Sequence, residues 1–123
     1  MRLGPIMLAA MVGTFATVPA TAADQGQYSA TLGKMLAQTA AGTCPADLMG
    51  DRLLAACREQ LPAMRTALVA AGPVTAMSFV MARGDGATRI ETYKVTFAKG
   101  DATLWHIGGR HDGKFETVYS RGD

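Results

Sequence analysis

The chain has 123 residues, with 12 Lys and Arg set against 10 Asp and Glu, a formal net charge of +2. Opposite charges are interspersed, so no positive stripe exists to release counterions from nucleic-acid phosphates, and no excess charge to hold a membrane surface. One small domain fills this length, with no room for a second.

The first element in the chain reads as a secretory signal peptide. Arg2 supplies a positive start, Ile6 to Val18 is mostly apolar, and Ala20-Thr21-Ala22 places small residues at alternate positions. The apolar core is too short to span a bilayer, and Gly4, Pro5, Gly13 and Pro19 interrupt it. Cleavage is expected after Ala22, or failing that after Ala23. Removing 22 of 123 residues leaves 101, working in the periplasm or outside the cell without a membrane anchor. No cysteine stands at the cleavage point, and no twin-arginine pair precedes the core, which favours the general secretory route.

A domain of that size buries a marginal fraction of its surface and benefits from a covalent staple. Cys44 and Cys57 are the only cysteines, and an oxidising compartment would join them. The closed loop of about fourteen residues should stabilise by about 3 kcal/mol in the chain-entropy description. The Cys-x-x-Cys spacing of a redox pair is absent.

From Tyr28 to Ala71 apolar residues recur at helical spacing. Leu32, Met35, Leu36 and Thr39 share one face of a helix over Tyr28–Ala41, stopped by Gly42. A second helix is expected from near Asp47, with Leu48, Leu53, Leu54 and Cys57 on or near one stripe. Pro62 predicts a break near Gln60 and a third helix to Ala71, burying Leu61, Met64, Leu68 and Val69. Cys44 would then tie the loop between helices to the end of helix two. Gly72-Pro73 ends the helical part.

From Val74 to Tyr119 the pattern alternates as in strands, expected over Val74–Arg83, Thr88–Ala98, Ala102–Gly108 and Lys114–Ser120. Gly84-Asp85-Gly86, Lys99-Gly100-Asp101 and His111-Asp112-Gly113 stand between them as turns. Met77, Phe79 and Met81 are expected on one face of the first strand; Tyr93, Val95 and Phe97 on one face of the second; Trp105 and Ile107 on one face of the third. Phe115 and one of Val118 or Tyr119 would complete that apolar face. Helices must cover it, which gives an α+β domain with N-terminal helices on one face of a curved four-stranded antiparallel meander.

Gly72-Pro73-Val74, Tyr93-Lys94-Val95-Thr96-Phe97, Leu104-Trp105-His106-Ile107 and Asp112-Gly113-Lys114-Phe115 occur in this order along the last fifty or so residues. In that order the chain resembles the small secreted bacterial domains of the cystatin-like, nuclear-transport-factor-two-like superfamily. The resemblance implies a curved sheet wrapped on helices, and a homodimer formed through the outer sheet face. Enzymes of that superfamily place an acid–base pair inside a deep cone, and no His-Asp pair falls on the inner face here.

Chemistry-bearing side chains are sparse. His106, His111 and Asp112 could supply three zinc ligands, but a turn and opposite strand faces keep them apart, so no metal or other cofactor is expected. Ser29, Ser78 and Ser120 lack the Gly-x-Ser-x-Gly elbow. Asp85 and Glu91, in or beside a turn, read as solvating charges. Gly84-Asp85-Gly86 is not followed by the Gly-Lys-Ser/Thr of a phosphate loop. Arg83-Gly84-Asp85 and Arg121-Gly122-Asp123 spell an integrin-binding tripeptide, read here as turn composition.

The function expected is a secreted, non-enzymatic protein-binding module, an inhibitor or immunity-type protein being one form of it. Thr92, Lys94, Thr96, Leu104 and His106 would form its partner-binding sheet face. The alternative is a carrier of a small apolar ligand. Met35, Met49, Met64, Met77 and Met81 can repack around varied shapes, and with Phe79, Phe97 and Trp105 would line its pocket. A hydrolase or isomerase would need a buried acid–base pair.

Overall fold

A computed structural model of the protein describes residues 25–121; the signal-like segment and its cleavage points lie outside them, as does the end of the second Arg-Gly-Asp. Helix α1, Ser29–Ala40, buries the expected stripe of Leu32, Met35, Leu36 and Thr39. Gly42, at φ +97°, reverses the chain, its N–H donating to the Thr39 carbonyl. The expected disulfide then joins Cys44 to Cys57, their Cα atoms 6.0 Å apart.

Helix α2, Asp51–Ala71, runs unbroken for 21 residues, so the expected break near Gln60 and third helix are absent. Pro62 is exposed, which leaves the carbonyl it cannot satisfy, that of Arg58, on the wet side. Leu53 and Leu68 are buried on the opposite side and hold the helix to the domain across the proline. The helix starts at Asp51 rather than Asp47, because residues 48–50 pair with the sheet instead. Phe115 N–H donates to the Leu48 carbonyl at 2.8 Å and Gly50 N–H to the Phe115 carbonyl at 2.9 Å, forming a parallel bridge centred on Met49. Cys57 therefore sits in the first third of α2, not at the end of a short helix.

Gly72, at φ +81°, caps α2 and sends the chain into the sheet. Strands β1 (Val74–Arg83), β2 (Ile90–Phe97), β3 (Thr103–His111) and β4 (Lys114–Arg121) form an open antiparallel meander in sequence order. A short 3₁₀ turn, Gly86–Thr88, links β1 to β2. Asp112 and Gly113, at φ 54° and 78°, form the tight β3–β4 hairpin that an Asp-Gly pair favours. Both helices pack with this sheet, an α+β architecture. Tyr93, Val95, Phe97, Trp105, Ile107 and Phe115 meet Leu32, Met35, Leu36, Met49, Leu53 and Leu68 in one core.

One expected face is overturned. Phe79 lies opposite Tyr93 and Met81 opposite Thr92, so the register slips at Val80. This bulge sends Met81 to the side of the sheet away from Phe79. Met77 and Phe79 remain packed against the core, whereas Met81 is 44 % exposed.

Candidate functional site

Three arrangements of side chains deserve a chemical reading: one buried carboxylate, two apolar clefts and the outer face of the sheet. The carboxylate is Glu91, fully buried. The alternation that turns Tyr93, Val95 and Phe97 inward turns Glu91 inward as well, so it is not the solvating charge expected of it. Gln27 N–H donates to both of its oxygens at 2.9 Å, and Tyr28 N–H to Oε1 at 2.9 Å. The Tyr93 hydroxyl donates to Oε1 at 2.5 Å and Arg89 Nε to Oε2 at 2.6 Å. Burial alone would raise the Glu91 pKa, but the bonds from Tyr93, Gln27, Arg89 and Tyr28 together hold it below its usual 4.5. Burial, reinforced by the bond to Glu91, pushes the Tyr93 phenol well above its usual 10.0.

An acid and a phenol thus meet on the inner face where a His-Asp pair was sought and not found. Their hydrogen bonds serve the chain itself. They anchor Gln27 and Tyr28 and place a negative charge at the start of α1, which has no side-chain cap of its own. Asp85 does stay exposed, and it brackets the 3₁₀ turn with Thr88.

The ligand-lining residues divide between separate places. Trp105 lines a cleft of about 280 Å³ with Met35, Met49, Met64 and Val118, beside the half-buried Cys57. Phe97 lines a second, larger apolar cleft with Leu36, Leu68 and Val74 on the other side of α1. Met77 packs near Gly33 of α1 and Phe79 edge-on against the Tyr93 ring, centroids 5.7 Å apart. Met81, across the sheet, joins neither cleft.

The five residues expected to bind a partner do share the outer face, being the β2 and β3 positions between the inward ones. Lys94 is exposed, and Thr96 and Leu104 are half-buried. Thr92 and His106 are only 7 % and 8 % exposed. The Thr92 hydroxyl and His106 Nδ1 are 2.9 Å apart, and the imidazole stacks on Tyr119 at 4.6 Å between centroids. Cross-strand register sets Met81, Thr92, His106 and Tyr119 in one row over all four strands. His106 Nε2 is buried with no hydrogen-bond partner. Burial, followed by the charges of Arg121 and Arg83, holds the His106 pKa below its usual 6.5.

Sequence reasoning missed Arg83, Arg121 and Tyr119 on this face. Of Val118 and Tyr119, either of which completes the apolar face by sequence alone, Val118 opposite Ile107 turns in and Tyr119, paired with His106, turns out. His111 Nε2 lies 3.4 Å from Asp112 Oδ2, both exposed, and His106 belongs to the sheet row. Among the described residues no three His, Cys, Asp or Glu gather where they could hold a metal ion, and no helix is long and apolar enough to cross a membrane. Set against models of protein families, curated proteins and solved structures, the chain matches none.

Proposed function

We propose that the protein is an exported, non-enzymatic binding module that docks another protein on the outer face of its sheet, as an inhibitor or immunity-type protein would. The observation that carries this reading is the row across the four strands. Met81 and Tyr119 stand 44 % and 41 % exposed at its two ends, and Val80, next to Met81 on β1, is 49 % exposed. Large apolar side chains held on a rigid, hydrogen-bonded base form a surface that gains by being covered. The disulfide supports export, since such bonds persist in oxidising compartments. The order of helices and meander supports the finer assignment to a cystatin-like, nuclear-transport-factor-two-like fold.

The test is native mass spectrometry of the protein isolated from the extracellular and periplasmic fractions of its source. A stoichiometric protein partner is expected, released by Met81→Ser or Tyr119→Ser. A partner retained by both variants would move the docking site elsewhere.

One observation favours a second reading, a carrier of a small apolar ligand: Met35, Met49, Met64 and Trp105 line the same cleft. Extra mass of a small molecule on the isolated protein, lost in Met64→Lys, would support it.

A further inference from the structure

We infer that the outer sheet face takes an acidic protein segment, one that sets Asp and Glu side chains around an aliphatic or aromatic anchor. This inference rests on the docking-face reading and adds the chemistry of the partner.

Besides the Ala76–Thr96 pair, the register sets three parallel rows across the outer face. The central one is Met81, Thr92, His106 and Tyr119. On one side lie Arg83, Ile90, Gly108 and Thr117; on the other Ser78, Lys94, Leu104 and Arg121. Among these described residues three are cations and none is a carboxylate. Of the two acidic residues adjacent to the rows in sequence, Glu91 faces inward and is fully engaged, and the carboxylate of Glu116 lies against Gly50. The cations stand at both flanks of the central row, Arg83 on β1 and Arg121 on β4, with Lys94 on β2. Their fields converge on the row, since both arginines act on the His106 imidazole.

That pattern argues against a second copy as the natural occupant. A two-fold dimer through this face would set one cation-flanked row against its identical twin. Each copy would bring Arg83, Lys94 and Arg121 and no carboxylate from the rows to meet them, and like charges across an interface are repulsive. His106 could not relieve this by titrating, because gaining a proton would add a further cation. A partner with carboxylates at its rim meets all three cations and still covers Met81 and Tyr119.

The experiment is panning of the purified, disulfide-oxidised protein against a random peptide library displayed on phage, followed by titration of the selected peptides. Expected sequences combine Asp or Glu with Leu, Phe or Trp. Lys94→Glu and Arg121→Glu should each weaken them by about tenfold, and affinity should fall several-fold between about 50 and about 500 mM salt. Met81→Ser should weaken them as well, and being exposed it spares the fold; Tyr119→Ser is read only if its thermal melt matches that of the wild type. Neutral or basic sequences overturn the inference. Loss of binding in Met81→Ser with none in the charge reversals also overturns it, while leaving the docking face standing. Binding unchanged in every variant overturns the docking face itself. A dimer in sedimentation equilibrium that Met81→Ser dissociates would assign the face to a second copy. Selection of no peptide, with binding to phosphatidylglycerol-containing vesicles that the charge reversals abolish, would assign it to lipid.

Discussion

The backbone N–H of Tyr28 donates to the carboxylate of Glu91 at 2.9 Å, across 63 positions of sequence. The residue that opens α1 is thereby held by the second strand, and the chain entering the domain is fixed before its first helix begins. Gly26 makes this approach possible. It sits at φ +82°, and a Cβ there would strike the Tyr93 hydroxyl and the Phe79 ring.

Glu91→Gln should cost about 3 kcal/mol, because it removes a charge that receives four donors and leaves Arg89 without its 2.6 Å carboxylate. Denaturant unfolding measures this. Asp101→Asn, at an exposed loop position, serves as the control and should stay within about 0.5 kcal/mol. Equal effects at the two sites would show that the Glu91 network contributes nothing.

The same network sets the pH range of stability. Glu91 titrates below its usual 4.5 when folded, so its contribution is complete above 4.5 and is lost as pH falls through the lower, folded value. Tyr93 titrates above its usual 10.0, so its contribution is complete below 10.0 and is lost as pH rises through the folded value.

His106 adds an earlier acidic step. Its folded pKa lies below the usual 6.5, so the unfolded chain binds the proton more readily and stability declines as pH falls from 6.5 toward the folded value. The groups facing it are Arg83 on β1, Thr92 on β2, and Tyr119 and Arg121 on β4. Unfolding curves across this range should show a decline that His106→Gln abolishes; an unchanged decline in the variant would place its origin elsewhere.

Gly26→Ala should lose about 3 kcal/mol through both strain and collision. Gly100→Ala has positive φ but open space around the new methyl, and should lose about 1 kcal/mol. Thermal melts of the pair separate collision from backbone strain.

Replacing Cys44 and Cys57 together by Ser should cost about 3 kcal/mol. The loop they close carries Leu48 and Gly50, which bond the backbone of Phe115. Hydrogen exchange at the Phe115 amide should therefore quicken more than at amides in the β1–β2 ladder. Uniform acceleration would mean that the staple acts on the whole domain alone.

Much of the sheet was legible because its signals are local. Gly72-Pro73 marks the switch of period, and β1 begins and ends at the expected residues, Val74 and Arg83. The stripe of α1 was equally plain, since four residues at helical spacing need no tertiary information. What escaped the sequence depends on contacts distant in the chain. Whether Pro62 breaks the helix depends on where its lost bond falls, and which side of α2 stays wet is set by the elements that Leu53 and Leu68 pack against. The slip at Val80 has no glycine or other special residue to announce it, yet it reverses the side on which Met81 emerges. Glu91 was misread because nearness to a turn was weighed above the inward alternation it shares with Tyr93. The outer cations were missed for a related reason: Arg83 and Arg121 sit at strand ends, and only register sets them beside His106.

The bridge at Met49 leaves the sheet with two unlike borders. Both β1 and β4 end the strand order among the described residues, but at the start of β4 both backbone groups of Phe115 are already engaged. Addition of a foreign strand, the usual hazard of an open sheet, is thus blocked at that point of β4 and has no such bridge against it, among the described residues, along β1. There the irregularity at Val80 divides the border into two short stretches that a straight strand cannot follow together. A straight strand added at that border would lose its pairing at the slip.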